Sequence, residues 1–183
     1  MRRRVLAFFG ALIGALVAAP LLALAAYDVF VLQGHRPDID KLLARAGPAE
    51  QRPPESLARV LRVSPGDHLT AHVARQMLWA FDTAPRGGSG WHAAALAWWL
   101  LCEVHLTEAQ RTTLFLSLAP MGGEEPGFER ASVRLMGVPL AEVSVEQAAW
   151  LVAVAQAPSR DPGHDARWTR NARRLAEQVR QLP

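Results

Sequence analysis

The residues of this chain able to do chemistry are few and scattered. Asp67, Glu124 and Glu125 are carboxylates on Gly/Pro-flanked segments, where a substrate could meet a general acid or base and where solvated surface acids are the default. His68, His72, His92 and His105 form no HExxH or other spacing with a recognised metal mechanism. His68 and His72 stand four apart, as one helix face allows, but two ligands without a third do not make a metal centre. Neither a metal nor a cofactor is therefore expected. GxSxG, P-loop and GxGxxG patterns are also absent from the sequence. Cys102, the lone cysteine, cannot form an intramolecular disulfide and lies in an apolar run, so it reads as a small buried hydrophobe rather than a reactive thiol.

The elements that must position these groups read as helices, because no stretch sustains period-two alternation. Ser56 to Val63 and His68 to Phe81 carry apolar residues at three-to-four spacing, separated by Ser64-Pro65-Gly66. Pro85 to Gly90 reads as a loop. Trp91 to Leu106 is apolar on every face, the pattern of a central buried helix, and its charge-free part is too short for a membrane span. Within it, Trp98 and Trp99 suit a core, with a membrane interface as the alternative for adjacent indoles. Thr107 with Gln110, and Ser144 with Gln147, are capping-box patterns opening helices to Ala119 and to Gln156. A short helix is expected from Phe128 to Met136, and a basic terminal helix from Ala166 to Leu182.

Charge and hydropathy divide the chain. Three of its twenty Lys+Arg are Arg2, Arg3 and Arg4, which leaves 17 against 17 Asp+Glu in the rest of the 183 residues. With no net positive field on the body, nucleic-acid binding is not expected. Val5 to Tyr27 is free of charge for 23 residues, which at ~1.5 Å per residue spans roughly 35 Å and is enough to cross a bilayer. Ala23-Leu24-Ala25 has the small-x-small form of a signal-peptide cleavage site, but the apolar run exceeds the ~7–15 residues of a signal core, so retention as an anchor is favoured. The expected layout is a basic tail over residues 1–4, a transmembrane anchor over 5–27, a juxtamembrane linker over 28–54 and a helical domain over 55–183. The basic tail should stay in the cytoplasm and residues from Asp28 onward should lie outside.

Residues 106–160 add a resemblance. Leu106-Thr107-Glu108, Leu114-Phe115-Leu116-Ser117, Gly127-Phe128-Glu129-Arg130-Ala131, Gly137-Val138-Pro139, Ala148-Ala149-Trp150-Leu151 and Gln156-Ala157-Pro158-Ser159-Arg160 follow one another in the order and spacing of glycosyltransferase family 51. This is the peptidoglycan transglycosylase domain of monofunctional transglycosylases and bifunctional penicillin-binding proteins. Gly87-Gly88-Ser89 resembles the start of the family's G-G-S-T-I-T-Q-Q motif, and Pro37-Asp38-Ile39-Asp40 its exit from the membrane span. The resemblance implies an all-α, lysozyme-like transglycosylase domain, truncated here, behind one N-terminal transmembrane helix in a bacterial inner membrane with the domain in the periplasm. It implies substrate contacts at Gly87, Gly88, Ser89 and Ser117. As partners it implies the membrane, the lipid-linked peptidoglycan precursor or a glycan strand, and a cell-wall synthase.

The polar groups that the family's reaction needs are missing at the matching positions. Transfer from a lipid pyrophosphate requires a carboxylate to take the attacking hydroxyl's proton and cations to stabilise the leaving group. Gly66 stands where the family's E-D-x-x-F-x-x-H-x-G motif opens with glutamate, and Ala95 where R-K-x-x-E closes with one. Ser117 replaces the asparagine of Y-L-N, and Gln147 the glutamate of E-A-A. No catalytic residue is assigned. The expectation is a degenerate homologue that acts by binding; the alternatives are an active transferase with relocated acids and a purely structural interaction module.

Overall fold

In the computed structural model, residues 2–65, 68–85, 88–122, 126–156 and 166–182 are described. Among them there are helices and turns and no strand. The chain divides into two compact units, residues 1–38 and 39–183.

The first unit is built on α1 (Arg2–Tyr27), which runs through Pro20 and is followed by a π-helical turn at Asp28–Leu32. Gln33 donates a side-chain hydrogen bond to Asp28 Oδ1 at 3.1 Å across that turn. Leu16 and Leu22 are 74% and 70% exposed. Such uncovered leucines are costly in water and cost nothing in a lipid tail region. By length and composition this is a helix able to cross a membrane.

The stretch read as a linker is ordered structure. It carries α2 (Gln33–Arg45) and α3 (Pro48–Gln51), and from Ile39 onward it belongs to the second unit, where Ile39, Ala49 and Glu50 are buried. The Gly47-Pro48 pair within it is a helix start. Gly47 is the N-cap of α3 and Pro48 its first residue, where a missing N–H leaves no bond unmade.

The second unit continues with α4 (Glu55–Val63), α5 (Leu69–Ala80), α6 (Gly88–His105), α7 (Glu108–Leu118), α8 (Phe128–Met136), a 3-10 turn (Leu140–Glu142), α9 (Val145–Gln156) and α10 (Ala166–Arg180). Both capping boxes form. Thr107 Oγ1 accepts from Gln110 N at 3.2 Å while Thr107 N donates to Gln110 Oε1 at 2.9 Å. Ser144 and Gln147 repeat the exchange at 2.8 and 3.2 Å. Gly137, left-handed at φ 68°, closes α8.

The centre of the unit is α9, not α6. α9 buries Ala148, Ala149 and every residue from Leu151 to Ala155, between α4, α10 and α8. α6 packs on α5 through Ala94, Trp98, Leu101 and Cys102, and leaves Leu96 and Val104 exposed, the latter at 75%. Its all-round apolar composition therefore reflects one face in the core and one uncovered face. The helix also starts earlier than its glycines suggested, at Gly88. A Cβ on Gly90 would meet Pro85 at 3.1 Å, so that first turn folds closely against the preceding chain.

Candidate functional site

The α2–α3 corner, the end of α7 and the start of α8 enclose a cavity of about 440 Å³ lined by Leu42, Arg45, Gly47, Glu50, Ser117 and Glu129, with Ala46, Leu118, Pro126 and Arg130 completing the wall. Glu50, 5% exposed, is fixed from two directions. As the third residue of α3 it accepts the N–H of Gly47 through Oε2 at 3.0 Å. Its Oε1 accepts the N–H of Glu129, in the first turn of α8, at 3.1 Å. Both unsatisfied helix starts are thus closed by one carboxylate, and negative charge suits the positive end of each helix. With both oxygens engaged by backbone N–H groups, Glu50 anchors the two helix starts to each other.

Two glycines make room for it. Gly127 precedes α8 at φ 108°, and a Cβ there would lie 3.0 Å from Glu50 Oε1 and 3.2 Å from the Ser117 carbonyl oxygen. A Cβ on Gly47 would lie 3.0 Å from Glu129 Oε2. That oxygen is shielded from solvent and has no hydrogen-bond partner among the described residues. Burial raises the Glu129 pKa above the ordinary carboxylate value, the nearby Glu50 charge raises it further, and the backbone N–H of Ala49 opposes both. Glu129 is thus the carboxyl in this corner that holds a proton more readily than usual, and Arg45 and Arg130 bring positive charge to the same wall.

Among the described residues singled out by sequence, Ser117 lines this cavity; its Oγ donates to the Leu114 carbonyl at 3.4 Å. Gly88 and Ser89 form the first turn of α6, and Gly88 is not among the cavity's lining residues. Gly87, Gly66, Asp67, Glu124, Glu125 and Ala157 to Arg160 lie outside the described residues. His72 does not work as a ligand with His68. Its Nδ1 takes a hydrogen bond from Arg75 Nη2 at 3.2 Å and its ring meets Phe115 edge-on at 5.9 Å. Burial first, then the charges of Arg75 and His68, lower its pKa to about 4, so the imidazole is neutral. Among the described residues no three His, Cys, Asp or Glu side chains gather as a metal set. Cys102 is fully buried and burial pushes its thiol up to about 12, which leaves it inert.

Glu50, Glu129, Arg45 and Arg130 were not picked out as functional residues in the sequence. A local signal existed for Glu50, since Gly47-Pro48-Ala49-Glu50 has an N-cap and its third-position acid. Glu129 and Arg130 stood inside the Gly127–Ala131 motif, where they read as framework.

Over 103 aligned residues, 54% of this chain, the sequence is 36% identical to penicillin-binding protein 1C of Escherichia coli (strain K12). The chain spans only 12% of that relative. No family model matches the chain, and no solved structure matches it. The similarity is thus to part of a penicillin-binding protein, and the described residues of this chain are helices and turns.

Proposed function

We propose that this protein is a membrane-anchored relative of the peptidoglycan transglycosylases that has kept the tether and the helical scaffold and lost the chemistry, so that it works by binding. The 36% identity to penicillin-binding protein 1C carries the cell-wall assignment. The apolar α1 supports attachment to the membrane, and the arginines that precede Val5 support a cytoplasmic start with the second unit in the periplasm. The exposed Trp79 of α5 and the Leu96 and Val104 of α6 support further contact with lipid.

The loss of activity is supported by the state of the carboxylates in the cavity. Glu50 spends both oxygens on backbone N–H groups, and the unpartnered oxygen of Glu129 is shielded from solvent. Ser117 and the arginines of the same wall would then hold an anionic lipid-linked sugar, a glycan strand or the surface of a synthase without turning it over. A second reading, an active transferase with a relocated acid, draws on the raised pKa of Glu129.

Incubation of the full chain in lipid vesicles with lipid-linked disaccharide-pentapeptide separates these readings. Retention of the precursor without glycan polymer is expected. Polymer that disappears on Glu129→Gln or Glu125→Ala would establish the active enzyme, and absence of any binding to precursor or glycan would establish a structural module.

A further inference from the structure

α9 is the buried helix of the second unit, yet Trp150 in its middle is only half-buried. Trp168 of α10, 1% exposed, meets the Trp150 ring edge-on, with centroids 6.4 Å apart and planes at 74°. An edge-to-face neighbour locked in the core fixes the plane of the outer indole. Trp150 is therefore a rigid aromatic face at the surface.

A groove opens on each side of that face. One, of about 320 Å³, runs between α9 and α10 and is lined by Glu146, Thr169, Arg173, Glu177 and Arg180. The other, of about 310 Å³, is lined by Leu135, Met136 and Gln147. Trp150 and Glu146 belong to both, so the grooves adjoin at the indole. Arg180 Nη2 holds Glu146 Oε1 at 2.9 Å and ties the two helices together at this edge.

The charge balance of the first groove selects its occupant. Two carboxylates and two guanidiniums line it. A polyanion would meet Glu146 and Glu177, a polycation would meet Arg173 and Arg180, and a wholly apolar ligand would strip water from all four without replacing its hydrogen bonds. A pyranose ring satisfies both requirements, because its C–H face lies flat on an indole while its hydroxyls donate to carboxylates and accept from guanidiniums. We propose that Trp150 is a stacking platform for a sugar ring of an uncharged saccharide chain, with Arg173, Glu177 and Thr169 bonding its hydroxyls. The cell-wall reading enters only in naming as the natural chain the amino-sugar backbone of peptidoglycan, where the lactyl carboxyls are taken up in amide bonds to the stem peptides and the sugars themselves are uncharged.

The test is calorimetric titration of the full chain, in a detergent without sugar headgroups, with chitotetraose. Saturable binding is expected, weakened by about tenfold in Trp150→Leu, which removes the stacking face and keeps an apolar side chain. Arg173→Gln, a change on an exposed position that leaves the core intact, should weaken binding as well, whereas Trp99→Leu should leave it unchanged. No binding at millimolar chitotetraose, or equal binding by Trp150→Leu, overturns the platform. Binding lost in Arg45→Ala but kept in Trp150→Leu also overturns it, by moving the saccharide to the cavity, and leaves the cell-wall reading standing. Chitotetraose held at Trp150 by a protein that binds no lipid-linked precursor would sustain the platform and defeat precursor binding.

Discussion

Glu50 and Glu129 each sit at the start of the other's helix. Glu50 Oε1 accepts the N–H of Glu129 in α8 at 3.1 Å, and the carboxylate of Glu129 lies against Gly47 and the Ala49 N–H at the start of α3. Two residues 79 positions apart in sequence join two short helices by this exchange.

Glu50→Ala removes the acceptor for two part-buried N–H groups at once. An unfolding free energy lower by about 2–4 kcal/mol is expected from urea denaturation of the full chain in detergent. Gln in the same place retains one oxygen and should lose less.

Glu129 gives stability a pH slope of defined sign. Its folded pKa is raised above 4.5, so the folded state holds this proton more tightly than the unfolded chain. The contribution is complete below 4.5 and is lost as pH rises through the folded value. Glu129→Gln keeps the uncharged shape, and denaturation curves across this range should be flatter for the variant than for the native chain.

His72 acts in the opposite direction along the pH axis. Its pKa falls from 6.5 to about 4 on folding, so the unfolded chain binds the proton first. Stability from this residue is full above 6.5 and is lost as pH drops from 6.5 towards about 4. In His72→Leu that acid slope should diminish when thermal unfolding is followed by circular dichroism.

Adjacent indoles should respond very differently to truncation. Trp98 is 0% exposed, stacks on Phe81 at 5.9 Å and donates its Nε1–H to Thr83 Oγ1 at 3.2 Å. Trp98→Ala should lower the unfolding free energy by about 3–5 kcal/mol. Trp99 is 36% exposed, and its change to alanine should stay within about 0.5 kcal/mol. Matching losses at the two positions would mean that Trp99 is covered too.

Helix positions were readable in the sequence because their signals are local. Thr107-x-x-Gln110 and Ser144-x-x-Gln147 mark their own helix starts, and the α8 boundaries at Phe128 and Met136 follow from apolar spacing and the glycines on either side. The coverage of a helix is not local. The composition of α6 could not show that α5 covers one face and nothing among the described residues covers Val104. The cavity was the least legible part, because it arises from helix starts brought together by the fold. Ser117 was reached through the resemblance, while Glu50 fell within a supposed linker.

The missing side chains at Gly47 and Gly127 bear on how this corner can change over generations. Any side chain at 127 would have to adopt φ 108° and displace Glu50 Oε1, and one at 47 would press on Glu129 Oε2. Positions 47 and 129 therefore form a pair in which a single replacement is penalised and a concerted one is relieved, whereas Gly127 is held by its backbone as well as by Glu50. In a sufficiently deep set of homologous sequences positions 47 and 129 should covary, and a lineage that abandons Glu129 should release Gly47 while Gly127 stays glycine.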